Sequence, residues 1–175
     1  MIARGLLSIA VLPGSVLVVV PFAIFWVTSW LGDSTAIAHS SALPFWFALV
    51  LALPGTFISF WSLTLFFSYG DGTPAPWDPP KYFVIRGPYR HVRNPRILGV
   101  VLLLFAESLF FQSRFLAAWA TLFFIGNAIY LPLAEEPGLA KRFGDDYIVY
   151  CENVNRWIPR LTPWKSEKGH DTKAI

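Results

Sequence analysis

The chain has 175 residues, an ordinary length for one domain. Only 14% are charged, 55% are hydrophobic and 17% aromatic, where a soluble domain carries about 25% charge. That balance excludes a disordered chain, which is charge-rich and apolar-poor, and leaves a soluble globule without enough polar residues to cover itself. One cysteine, Cys151, excludes a disulfide scaffold and a cysteine-cluster zinc site, and three scattered histidines argue against a metal centre. The composition is that of an integral membrane protein.

Four stretches are almost free of formal charge: residues 5–32, 34–70, 97–113 with Glu107 alone, and 115–134. Crossing the hydrocarbon core takes about 20 apolar residues, so the expectation is an all-α bundle of about four transmembrane helices. The first stretch is too long for a signal-peptide core and lacks a clean small-x-small cleavage site, so it reads as a retained helix. Pro13, Pro21 and Pro54 are expected to kink the first two spans. The third and fourth spans are joined only by residues around Gln112–Ser113 and so form a tight antiparallel hairpin over 97–134. Trp30, Trp46, Tyr69, Trp77, Tyr130, Trp157 and Trp164 fall near the span ends as an aromatic belt.

Cations gather in two places. Residues 70–96 hold Lys81, Arg86, Arg90, Arg93 and Arg96, and 135–175 hold Lys141, Arg142, Arg156, Arg160, Lys165, Lys168 and Lys173. The other two connections are nearly empty of them. With Arg4 at the start, the positive-inside rule puts both termini and the 70–96 segment in the cytoplasm of either a bacterial inner membrane or an endoplasmic reticulum membrane. The net charge of +3 is then accounted for by topology and anionic headgroups, without nucleic acid. The whole chain reads as one domain: 1–69 with the first two spans, 70–163 with the chemistry, and a loose polar tail over 164–175.

The chemistry-bearing residues form two blocks, Gly70 to Gly99 and Glu135 to Pro163, which flank the hairpin and are expected to meet at its cytoplasmic mouth. In the first, Asn94–Pro95 reads as a helix start, with Asn94 as N-cap and Pro95 at N1. Free N–H groups there suit a carboxylate or phosphate; the plainer reading is a basic stripe against lipid phosphates. In the second, Glu135 and Glu136 sit at the negative end of a helix dipole, opposite to the usual preference, and a bound ammonium or sulfonium would relieve that; the plainer reading is a helix end facing water. Pro137 is expected to open a new surface-lying amphipathic helix over roughly 138–152, with Leu139, Phe143, Tyr147, Tyr150 and Cys151 at helical spacing mostly for packing. Glu107, deep in the third span, reads as structural, and neither Cys151 nor His91 has a partner for nucleophilic catalysis. No Gly-x-Gly-x-x-Gly, Walker sequence, paired-histidine metal motif or nucleophile elbow occurs.

The run Gly87-Pro-Tyr-Arg-His-Val-Arg-Asn-Pro-Arg-Ile-Leu-Gly99 resembles the first signature of the isoprenylcysteine carboxyl methyltransferase and phospholipid methyltransferase families, approximately Gly-Pro-Tyr-Arg-x-x-Arg-His-Pro-x-Tyr-x-Gly. The run from Glu135-Glu136 through Leu139, Phe143-Gly144, Tyr147 and Tyr150 to Arg156-Trp-Ile-Pro159 resembles the second. Both signatures occur in order over 70–163.

The resemblance implies a membrane-embedded methyltransferase that uses S-adenosylmethionine, yields S-adenosylhomocysteine and needs no metal. Its acceptor is a carboxyl or amine group of a lipid or lipidated small molecule. By position, Arg93, Asn94, Pro95, Ile97 and Gly99 would line the cofactor site, Tyr89 and Arg90 would support its loop, and Glu135 and Glu136 would lie near the methionine end. Arg142 or Arg156 would orient the acceptor and Tyr147 would touch it. Asn94 replaces the signature His and Ile97 its Tyr, so neither position offers that acid–base group. The competing readings are a non-catalytic protein of the same fold that binds or organises lipid, and a small transporter or channel subunit, for which only Glu107 speaks.

Overall fold

The computed structural model describes residues 13–31, 36–69, 83 and 85–165, and they form five helices with no strand. Helix α1 is Ser15–Trp30, α2 Leu43–Tyr69, α3 Pro95–Phe110, α4 Arg114–Phe143 and α5 Asp145–Asn153. A short 3-10 turn, Gly87–Arg90, precedes α3. The expectations resting on Arg4, Trp77, Lys81, Lys168 and Lys173, on the Tyr69 side chain, and on most of 70–82 and the tail fall outside the described residues.

Among the described residues, two helices are long and apolar enough to cross a membrane: α2 over Leu43–Leu65 and α4 over Arg114–Phe143. Their apolar surface is turned outward. Only 11% of the most apolar window of α2 and 17% of that of α4 lie inside the fold, whereas a core helix of a soluble protein buries most of its apolar face. Leu53, Phe57 and Phe60 on α2, and Leu122 and Leu133 on α4, are each more than 60% exposed. Helix α3 has 16 residues, about 24 Å, less than the hydrocarbon thickness of about 30 Å.

Helices α2 and α3 make the most intimate crossing. A Cβ on Gly99 would stand 2.2 Å from Ser59 Oγ and 2.9 Å from the Gly55 carbonyl oxygen, so the two backbones meet through their glycines. This is the small-residue packing that membrane helices use where no hydrophobic drive holds them together. Helix α3 turns into α4 through Phe111–Ser113, as the hairpin expectation requires. Gln112 takes the left-handed φ of 47°, and Ser113 Oγ caps α4 by accepting from the Leu116 N–H at 3.4 Å. Val100 and Leu104 of α3 and Ala120 of α4 form the core between them, closed by Val16 and Leu17 of α1. The Trp119 indole donates to the Val16 carbonyl at 3.2 Å and ties α1 to α4.

Pro54 lies inside α2, which runs on through it. Around Pro21 and Pro137 the helix widens to a π turn. In α1 the turn is Ser15–Val19, with the Val20 N–H reaching back to the Ser15 oxygen; in α4 it is Leu131–Glu135, with the Glu136 N–H reaching the Leu131 oxygen. A proline lacks the N–H that would continue the ladder and crowds the carbonyl four residues back. A five-residue step relieves that crowding without ending the helix. Pro137 therefore opens no new helix, and the expected element over 138–152 is corrected to two pieces. The first is the end of α4. The break falls at Gly144, whose φ of 58° and ψ of −140° lie in a region open essentially to glycine, and α5 follows.

Candidate functional site

The two blocks meet, as far as they are described. The backbone of 89–93 is laced to the chain after α5: Arg93 N–H donates to the Asn155 oxygen at 2.9 Å, Arg160 N–H to His91 at 2.9 Å, and Trp164 N–H to Arg90 at 2.9 Å. His91 Nδ1 stands 2.7 Å from the Arg160 oxygen, and the Tyr150 hydroxyl donates to the Tyr89 carbonyl at 2.7 Å. Beneath the lacing, Tyr147, Tyr150 and Val154 form a second core with Phe83, Phe143 and Trp164 against them. The expectation that the helical-spacing aromatics serve packing holds for Phe143 and Tyr150.

Glu136 is the centre of the site. Arg156 grips it with both prongs, Nε to Oε1 at 2.7 Å and Nη2 to Oε2 at 2.8 Å, and Arg93 Nη1 lies 3.2 Å from Oε1. This fork geometry is the strong form of an arginine–carboxylate contact. Glu136 and Arg93 keep only 14% and 13% of their side-chain surface exposed. Glu135, one residue earlier and so turned about a quarter of the way round the helix, belongs to a different group: Arg96 and Tyr89 are its electrostatic neighbours. The glutamate pair is thus split between two arginine sets.

Beside Glu136 a cleft of about 440 Å³ opens between α4 and α5. One wall is Pro132, Glu136, Pro137 and Ala140 on α4; the other is Tyr147, Ile148, Cys151 and Glu152 on α5, with Arg93 between. Its volume falls in the range of small-molecule sites, about 300–1,000 Å³. Two buried donors have no acceptor: Nε of Arg93, which lines the cleft, and Nδ2 of Asn94, the next residue in the chain. Asn94 takes the N-cap position of α3 with Pro95 at N1, as expected, but its side chain caps nothing, which leaves that amide free for another acceptor. Burial pushes the Tyr89 hydroxyl up to about 12, against the pull of Arg96. Burial also raises Tyr147, which hydrogen-bonds with Cys151, and Tyr150. All three phenols are therefore neutral donors at physiological pH. The contact with Glu136 raises Arg156 further.

Of the residues singled out from the sequence, Arg93, Glu136 and Tyr147 face the cleft and Arg156 reaches it through Glu136. Tyr89 and Arg90 hold the loop, Arg90 Nε donating to the Ile85 oxygen at 3.2 Å. Ile97 is half-buried on the first turns of α3, Gly99 is taken up by its crossing with α2, and Arg142 is exposed and outside the cleft wall. Cys151 is a cleft residue the sequence analysis set aside; it follows Tyr147 by four positions, so helical spacing already placed it on that face. Among the described residues no group of three or more metal-ligating side chains occurs.

Residues 43–146, more than half of the chain, match the model of the phospholipid methyltransferase family. The chain belongs to that family. The match takes in the α2–α3 crossing, the arginine loop and the glutamate pair, and stops just short of Tyr147. No characterised protein and no solved structure matches the chain. The family is one of membrane enzymes that methylate lipids, in keeping with the outward apolar faces of α2 and α4.

Proposed function

We propose that this protein transfers a methyl group from S-adenosylmethionine to a carboxyl or amine group of a lipid or lipidated small molecule at the cytoplasmic membrane face, and that four helices span the bilayer with both termini cytoplasmic. The observation that carries the proposal is the junction of the two signatures at Arg93–Glu136–Arg156 on a cleft, with orphaned donors at Arg93 and Asn94.

The residues present fit the cofactor. Arg93 Nε and Asn94 Nδ2 are buried donors without acceptors, and a carboxylate such as that of the methionine moiety would supply one. Burial raises the Glu135 carboxyl against the pull of Arg96, so a bound ammonium would relieve the cost of its charge. Bound there, S-adenosylmethionine supplies an electrophilic methyl on a sulfonium. The chain's own part is to bind, orient and exclude water, because such a displacement gains mainly from in-line positioning. Glu136 holds Arg93 and Arg156 apart and fixed. In this reading Tyr147, a neutral phenol on the cleft wall, would meet an acidic acceptor, with Arg156 behind Glu136. Pro132 and the neighbouring exposed Leu133 leave the α4 end of the cleft apolar, suited to a lipid arriving from the bilayer.

The test is transfer of a radiolabelled methyl from S-adenosylmethionine to membrane lipid extract by protein in nanodiscs. Label in the lipid fraction, abolished by Glu135→Ala, is the expected result. Release of that label by mild alkali identifies a methyl ester, and retention an N-methyl group. An unlabelled lipid fraction with folded protein would favour the lipid-binding reading.

A further inference from the structure

We infer that Arg156–Leu161 is a membrane wedge: an irregular segment whose apolar side chains enter the cytoplasmic leaflet and touch lipid acyl chains beside α4. The inference rests on the membrane reading of α4 and goes beyond the assignment of the site.

The depth follows from two neighbouring side chains. Arg156 reaches one way along α4 to Glu136, while Trp157 reaches the other way to Phe124, their ring centroids 5.1 Å apart. Glu136 and Phe124 are twelve positions apart on that helix, about 18 Å at 1.5 Å per residue. The backbone of 156–157 therefore lies near the level of Tyr130, about 6 Å on the membrane side of the end of the apolar stretch 115–134. That is the depth at which interfacial segments bury their apolar faces, about 5–10 Å.

What projects from the segment suits that depth. Ile158 is 73% exposed and Leu161 fully exposed. Irregular backbone is tolerated near hydrocarbon only when its polar groups are satisfied. Here the segment's flanks are bonded to the arginine loop, Asn155 through Arg93 and Arg160 through both the carbonyl and the ring of His91. The Arg160 guanidinium donates to the Asn153 carbonyl, which closes the turn on itself. The wedge would hold Arg156 at a fixed depth and so keep the cleft level with lipid headgroups.

Spin labels report depth directly. Single cysteines at Ile158→Cys and Leu161→Cys, in a Cys151→Ser background checked for helicity and reconstituted in nanodiscs, are compared for collision with oxygen and with a water-soluble nickel chelate. Leu133→Cys, 74% exposed on α4, is the lipid reference, and the exposed Lys141→Cys the water reference. Oxygen-dominated collision at 158 and 161, matching 133, is expected. Nickel-dominated collision there with 133 still lipid-like overturns the wedge alone. Nickel-dominated collision at 133 as well overturns the membrane reading and the wedge with it.

Discussion

At the scale of single residues, the site depends on one carboxylate held by two guanidiniums. Removing Glu136 leaves Arg93 and Arg156 facing each other without the anion between them, and removing Arg156 frees the carboxylate to swing. Because misplacement of about 1 Å can cost about 10²-fold in rate, Glu136→Ala and Arg156→Ala should each lower methyl transfer about a hundredfold, read as kcat/KM with saturating cofactor. Glu136→Asp, which keeps charge and loses reach, should fall between them and the parent. The buried phenols give a pH prediction. Tyr89 is held neutral up to about 12 by burial, above the usual value of 10 for the unfolded chain. Its stabilising contribution is complete below pH 10 and is lost as pH rises from 10 toward 12. The thermal midpoint in detergent should therefore fall over that window, and Tyr89→Phe should fall less.

Much of this was legible in the residues themselves. Arg93, Glu136, Tyr147 and Arg156 are charged or phenolic side chains in a largely apolar chain, so their gathering in one place could be expected from the sequence. Two things were hidden. The division of Glu135 from Glu136 depends on helical phase at the π turn, which only the chain's hydrogen bonding fixes. The use of Gly99 as a crossing contact depends on Gly55 and Ser59, residues forty or more positions away.

At the scale of elements, two glycines set the geometry. Gly99 admits α2 against α3. Gly99→Ala would bring its methyl 2.2 Å from Ser59 Oγ and 2.9 Å from a backbone oxygen, and such overpacking costs about 1–3 kcal/mol. The rotatable serine can yield and the carbonyl cannot, so Ser59→Gly should restore only part of the lost thermal midpoint in Gly99→Ala. Gly144 swings α5 back across α4. Open space surrounds it, so Gly144→Ala acts through backbone strain alone, about 1–3 kcal/mol, and should displace Tyr147 and Cys151. A slower or faster alkylation of Cys151 in that variant would report the displacement. The hairpin of α3 and α4 was readable from charge-free lengths and the Gln112–Ser113 turn. The continuity of α4 through Pro137 was not, because a proline signals a break in the ladder and says nothing of a π turn that absorbs it.

At the scale of the molecule, the apolar outer faces of α2 and α4 suit lipid, and the charged cluster at the meeting of the two blocks needs water or headgroups. The proposed topology, four spans with both termini cytoplasmic, would meet both demands, with α1 and the short α3 completing the bundle. Reporter fusions at the two ends should therefore be active on the same, cytoplasmic side, while a reporter in the 36–42 connection should appear on the other. Opposite sides for the two termini would require an odd number of spans.

The central claim is the cofactor site, and calorimetric titration of S-adenosylmethionine and S-adenosylhomocysteine into the protein in nanodiscs tests it most directly. Saturable binding of both is expected, lost when Glu135 and Glu136 are changed to alanine together and weakened by Asn94→Ala, whose buried amide has no acceptor. Absence of binding by protein with full helicity, or undiminished binding by the double variant, would contradict it.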